Sequence, residues 1–250
     1  MNESRRQFNG TLLGSLLTYS LLETIFADDL LADEVRPLAA AWLADLDQLG
    51  RDLRGAPLEQ TTWQDKVEEL HSQVDLADLL KFLDFDKLTH NLQYRERGER
   101  SLRPQLPEVE GLPRELVFGQ QIFALQKDRA VVPHGHYNLA SSFLVLKGEF
   151  HGRHYDRLED DRTSMIIRPT IDRQFGPGEY STISEHRDNV HWFQATSETA
   201  FIYNMHVVNL QPDYGRPGGR VYIDPHGEKL SGGRIRAEKL RAAEALRRYG

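Results

Sequence analysis

The sequence predicts a mostly-β fold, an antiparallel barrel entered through a helical N-terminal region. Two observations point there. From residue 117 onward, short apolar and β-branched runs recur over 117–125, 142–146, 149–155, 165–168, 180–183, 190–195, 200–210 and 220–223, separated by Gly, Pro, Asp and Asn. Regular short runs between such turn residues mark an antiparallel sandwich or barrel. Before residue 94 the apolar residues instead recur at helical spacing. A third observation narrows the choice: there is no Rossmann or P-loop glycine pattern and no internal repeat.

Five segments follow from this reading: 1–27, a helical region over 28–94, a connecting arm over 95–113, the β-barrel over 114–230, and a C-terminal helix over 231–250. In the first, Ser4-Arg5-Arg6-Gln7-Phe8 stands ahead of an uncharged, mostly apolar run that ends at Glu23. Paired arginines before such a run resemble a twin-arginine export signal, and the run is short for a membrane span. The expectation is a periplasmic protein, a cytoplasmic one being the alternative, with no stable transmembrane span. In the second segment, Val35, Leu38, Trp42, Leu46, Leu49 and Leu53 form one helical stripe. Trp63, Val67 and Leu70 form another, and Leu79, Leu80, Leu83 and Leu88 a third within a helix over 76–92 that Asp75 would cap. These stripes read as packing surface. The arm 95–113 is polar, with three prolines and two glycines, and reads as a connection few contacts should cross.

Composition excludes several classes. A formal charge of −7 argues against a nucleic-acid partner. The basic run 234–248 is interleaved with Glu and Ala and reads as a solvated helix. With no cysteine, disulfides, thiolate metal sites and Cys nucleophiles are ruled out. No Ser-His-Asp order with a nucleophile elbow is present.

Histidine carries the chemistry. His134 and His136 are two apart, so on an extended chain both face the same side and can bind one metal. After them, Leu144 to Phe150 reads as a strand, a turn at Gly148 and a returning strand. His191, followed by Trp192-Phe193 and preceded by Gly176-Pro177-Gly178, is placed to supply a third ligand from a later strand. His186, five residues upstream, is expected to face away. His206 sits on the strand after His191, where it could serve as a donor or acceptor beside the site. Of His151 and His154, at most one points into the barrel.

The stretch from about 117 to 225 resembles the cupin superfamily, and within it the thiol dioxygenases of the cysteamine dioxygenase and plant cysteine oxidase branch. The matching residues are His134-Gly135-His136, Leu146-Lys147-Gly148-Glu149, Tyr155-Asp156, Asn189-Val190-His191-Trp192-Phe193, and Pro212 to Arg216 with Tyr222. The resemblance implies a cupin-type (jelly-roll) β-barrel. It also implies a non-haem Fe(II) dioxygenase in which His134, His136 and His191 hold the metal and a small thiol or similar small molecule reacts with O2. Tyr155, Tyr222 and His206 are the candidate catalytic side chains. Many cupins carry a glutamate ligand four or five residues after the second histidine, where this chain has Ala140 and Ser141. Three neutral imidazoles suit Fe, Zn, Ni, Cu and Mn without choosing among them. The alternative function is a non-catalytic metal-binding cupin, a small-molecule sensor or carrier in the cell envelope.

Overall fold

A computed structural model describes residues 38–55, 58–215 and 219–250. The twin-arginine segment and the start of the helical region lie outside the described residues. The first helix, α1, occupies 38–54; α2 (Gln60–Ser72), α3 (Leu76–Phe82) and α4 (Phe85–Thr89) follow. Most of the expected stripe residues face inward, with Trp42, Leu46, Leu53, Trp63, Val67 and Leu79 all buried, but Leu38 at the start of α1 is 65% exposed. Asp75 caps α3, its Oδ1 accepting from the Ala77 and Asp78 N–H groups. The single helix expected over 76–92 is instead broken at Asp84, whose φ is 49°. Leu83 and Phe85 are both buried, at 2% and 5% exposure. Two residues apart on one helix they would point in nearly opposite directions, so the left-handed turn between them lets both pack.

Among the described residues eleven strands follow: β1 (Arg100–Leu102), β2 (Gly119–Gln126), β3 (Ala130–Tyr137), β4 (Leu139–Lys147), β5 (Phe150–Asp160), β6 (Ser164–Phe175), β7 (Tyr180–Ile183), β8 (Val190–Ala195), β9 (Thr199–Val208), β10 (Gly219–Lys229) and β11 (Ile235–Leu240). One sheet runs β1-β2-β9-β4-β7, and the other contains β3-β8-β5-β6. Strand 2 pairs with 9, 9 with 4 and 4 with 7, while 3 pairs with 8, 8 with 5 and 5 with 6. That is an antiparallel ribbon folded back on itself, the jelly roll found in cupins. The fold is therefore mostly β, of the cupin type, with an N-terminal helical region.

Two additions bury what a bare jelly roll would expose. The helices pack on the outer face of the first sheet, sharing one apolar core with Ile122, Leu144, Phe201, Tyr203 and Met205. At that interface His71, in the last turn of α2, is enclosed by Trp42 and Tyr180, with ring centres 5.5 and 5.7 Å away. On the other side, the β10–β11 hairpin pairs with β3 at one edge and β6 at the other. It closes the second sheet into a six-stranded ring around Met165, Ile167, Val190 and Ile223.

The arm is more than a tether. Its β1 pairs with β2, and Leu102, Leu106, Val109 and Leu112 pack against the helix–sheet core. The terminal segment expected as helix over 231–250 divides into a short turn, β11, and helix α5 (Ala242–Tyr249). Ile235 and Ala237 alternate toward the ring core, and strand pairing on both sides of β11 outweighs the helix propensity of its Ala, Glu, Lys and Arg. Tyr249 and Arg248 of α5 both donate to the Asp224 carboxylate of β10, at 2.7 Å.

Candidate metal centre

Three neighbouring strands bring the histidines together. The register opposes His134 of β3 to His191 of β8, and His191 to His154 of β5. His136 follows two residues along β3 and so shares the face of His134, toward the first sheet. One ring nitrogen from each of His134, His136 and His191 lies within 4.8 Å of the others. Ring centres are 4.7 Å apart for His134–His136, 4.2 Å for His134–His191 and 5.3 Å for His136–His191.

The hydrogen bonds say which nitrogens are free. His134 Nδ1 is 2.7 Å from the Val132 carbonyl, which accepts its proton and leaves Nε2 buried without a partner. His136 Nδ1 is likewise buried and unpartnered. His191 Nδ1 lies 3.4 Å from the Asn189 carbonyl, leaving Nε2 to face the cluster. Burial holds all three rings well below the ordinary imidazole range, His136 at about 3, with further lowering from neighbouring cationic groups such as Arg220. They are thus neutral, the form that ligates metal. Buried polar atoms are normally satisfied, and a divalent ion would satisfy these converging lone pairs together. The donor set fits a metal.

The cluster opens on a cleft of about 300 Å³ between the two sheets. Phe143 lies beside His191 with ring centres 4.9 Å apart and planes tilted by 47°, and Phe123 extends the apolar wall. The facing sheet supplies a polar ladder. Gln121 Nε2 donates to Asn204 Oδ1 (3.2 Å), Asn204 Nδ2 to Ser141 Oγ (2.6 Å), and Ser141 Oγ to the Met205 carbonyl (2.8 Å). Ala140 faces the helix–sheet core and Ser141 the cleft, so no carboxylate stands where many cupins place a ligand. Arg220 is the charged residue of the lining. It stands opposite His136 in the β3–β10 register, ion-paired with Glu99 at 2.7 Å.

The other candidates fall in different places. His206 lines the cleft from β9, its ring seated against Gly119. Tyr222 stands opposite His134 on the same face, with ring centres 6.0 Å apart. The structure does not bring Tyr155 to the cluster: it points the other way, into the ring core with Val190 and Ile223. Its neighbour His154 takes the inward position, fully buried, with burial lowering its pKa to about 3 and ring centres 6.1 Å from His191. His154 is not part of the ligand group. His186 sits in the loop before β8, where its N–H donates to Ser184 Oγ, and lines a separate cleft. Arg220 was missed in the sequence, although strand alternation from Tyr222 would have placed it on the same face.

Fold and site together define a cupin-type jelly-roll barrel with a buried histidine triad able to bind metal. No family model matches the chain, and no curated protein matches it. Similar solved structures include a cupin superfamily protein from Desulfitobacterium hafniense, 14% identical, covering 48% of this chain and 87% of that one at a TM-score of 0.32. Another is an uncharacterized conserved protein with a double-stranded beta-helix domain from Klebsiella pneumoniae, 9% identical, covering 53% and 92% at a TM-score of 0.35. Procruciferin, an 11S globulin from Brassica napus, is 15% identical over 42% of this chain at a TM-score of 0.31, and the match spans 22% of the procruciferin chain.

Proposed function

We propose that this protein is a metal-dependent cupin oxygenase, a non-haem iron dioxygenase acting on a small thiol or similar small molecule. The observation that carries the reading is the set of converging imidazoles with buried, unpartnered nitrogens at His134 and His136. His134 and His191 through Nε2, and His136 through Nδ1, would hold the ion. Iron(II) held there would supply the redox chemistry of an oxygenase. The chain's own residues do the rest. Phe123 and Phe143 exclude water beside the ligands, which strengthens every polar interaction inside. The Gln121–Asn204–Ser141 ladder fixes hydrogen-bonding groups on the opposite wall, so a substrate is oriented from two sides. With three neutral ligands and no carboxylate in the lining, a bound divalent ion would keep its full charge, which favours an anionic ligand such as a thiolate.

The test is metal content followed by turnover. Elemental analysis of purified protein should find close to one iron per chain, or reconstitution with Fe(II) should restore it. Oxygen consumption is then measured with cysteamine, cysteine and 3-mercaptopropionate. Stoichiometric metal without oxygen uptake on any of these thiols would favour the sensor or carrier role, and absence of metal binding would overturn both.

A further inference from the structure

The β3–β8 ladder ends at the His134–His191 pair, two residues short of His136. Beyond it a side chain stands in for the missing strand residue. Asn189 Oδ1 accepts from the His136 N–H at 3.2 Å, and Asn189 Nδ2 donates to the His136 carbonyl at 3.0 Å. That exchange of two bonds is what an opposing residue makes in an antiparallel ladder. The second Nδ2 proton goes to the Ser184 carbonyl at 3.0 Å, tying β3 to the loop that enters β8. The Asn189 main chain takes part as well, its carbonyl lying 3.4 Å from His191 Nδ1. One residue therefore holds the backbone of one candidate ligand and the ring of another. The arrangement needs Gly135, because a Cβ there would come within 2.7 Å of Asn189 Oδ1. Asn189 is 1% exposed, with both Nδ2 protons and Oδ1 engaged by the backbone, so it is turned away from any substrate.

We propose that Asn189 is the positioning residue of the metal centre. Its carboxamide sets where His136 stands relative to His134 and His191. This rests on the metal reading above. Only an amide does it: an aspartate accepts from the His136 N–H but donates to neither carbonyl.

The experiment compares Co(II) binding to the parent, N189A, N189D and Q64L, by competition titration and visible absorption. Folding is followed by circular dichroism and urea unfolding. Gln64 is the control: a fully buried amide that donates to Thr182 Oγ1 at the helix–sheet interface, away from β3. Both Asn189 variants should bind Co(II) about 10–100-fold more weakly, as loss of a ligand-orienting partner does. Their Co(II) bands should also shift or change intensity, a sign of altered ligand geometry, while Q64L loses stability with the parent spectrum and affinity. N189D keeps the volume and the acceptor, and gives the reading if N189A does not fold. A folded N189D with parental affinity and spectrum overturns the proposal, as does a Q64L spectrum changed as much. Failure of both Asn189 variants to fold also overturns it, since it makes Asn189 a requirement of the fold rather than of the metal. A parent protein that binds no Co(II) overturns the metal reading itself.

Discussion

His71 offers a measure of how the helical region is held to the barrel. Both its ring nitrogens are buried without partners, and burial lowers its pKa from 6.5 to about 3. In the unfolded chain the ring takes up a proton as pH falls through 6.5; in the folded chain it stays neutral until about 3. The unfolded state binds the extra proton throughout that interval, so stability is lost on acidification at about 1.4 kcal/mol per pH unit. Between pH 7.5 and 5 this amounts to roughly 2 kcal/mol, a sizeable share of the stability of an ordinary domain. His71→Leu keeps an apolar side chain between Trp42 and Tyr180 and cannot take a proton. Urea unfolding of metal-free parent and variant, followed by tryptophan fluorescence at several pH values, isolates this contribution, because the other buried histidines are common to both. The parent should lose about 2 kcal/mol more than the variant across that range, and the variant should match or exceed parental stability at pH 7.5, having shed two unsatisfied polar atoms. Parallel stability profiles would refute the assignment of His71 as a buried neutral group.

Other outcomes are expected on the same grounds. His134→Ala, His136→Ala and His191→Ala should each abolish most metal binding while His186→Ala keeps it, measured as metal per chain by elemental analysis on folded proteins. Asp47, 2% exposed, accepts from the Val117 N–H and from Arg51, so Asp47→Ala should cost about 2 kcal/mol, read from the urea midpoint. Gly135→Ala should weaken both fold and metal affinity, by about 1–3 kcal/mol in unfolding free energy, because its methyl group meets Asn189 Oδ1 and Val190 Cγ2. Replacing Arg5 and Arg6 by lysine should lower the periplasmic fraction of the protein on cell fractionation; an unchanged fraction would end the export reading.

Short apolar runs bounded by turn residues were legible in the sequence. β7 and β8 fall where the 180–183 and 190–195 runs put them, and the i, i+2 spacing placed His134 and His136 on one face. What escaped depends on partners distant in the chain. β11 looks helical by composition and becomes a strand because β10 and β6 lie on either side of it. Tyr155 and His154 must face opposite ways on β5, but composition could not say which faces the cleft. Each face of that strand contributes one aromatic residue to a core, Phe150 to the jelly-roll interior and Tyr155 to the closed ring, so neither stands out as the buried side. The arm reads as polar and proline-rich, yet its scattered leucines bind it to the helix–sheet core. Asn189 stands in a motif legible in the sequence, but its hold on His136 could not be read there, since that depends on where a ladder stops.

Ring closure also bears on how copies of this chain could meet. A sheet edge is a row of unused amide and carbonyl groups, the natural template for another chain to extend. The β10–β11 hairpin covers part of that row in the second sheet, pairing with β3 over 134–137 and with β6 over 164–167, so that among the described residues 168–175 of β6 pair on the β5 side alone. In the first sheet the outer strands are β1, of three residues, and β7, of four, and each offers only one or two free bonding positions. The longest open stretch, 168–175 of β6, carries exposed Arg168, Pro169, Asp172 and Arg173, the charges and proline that discourage another strand from adding there.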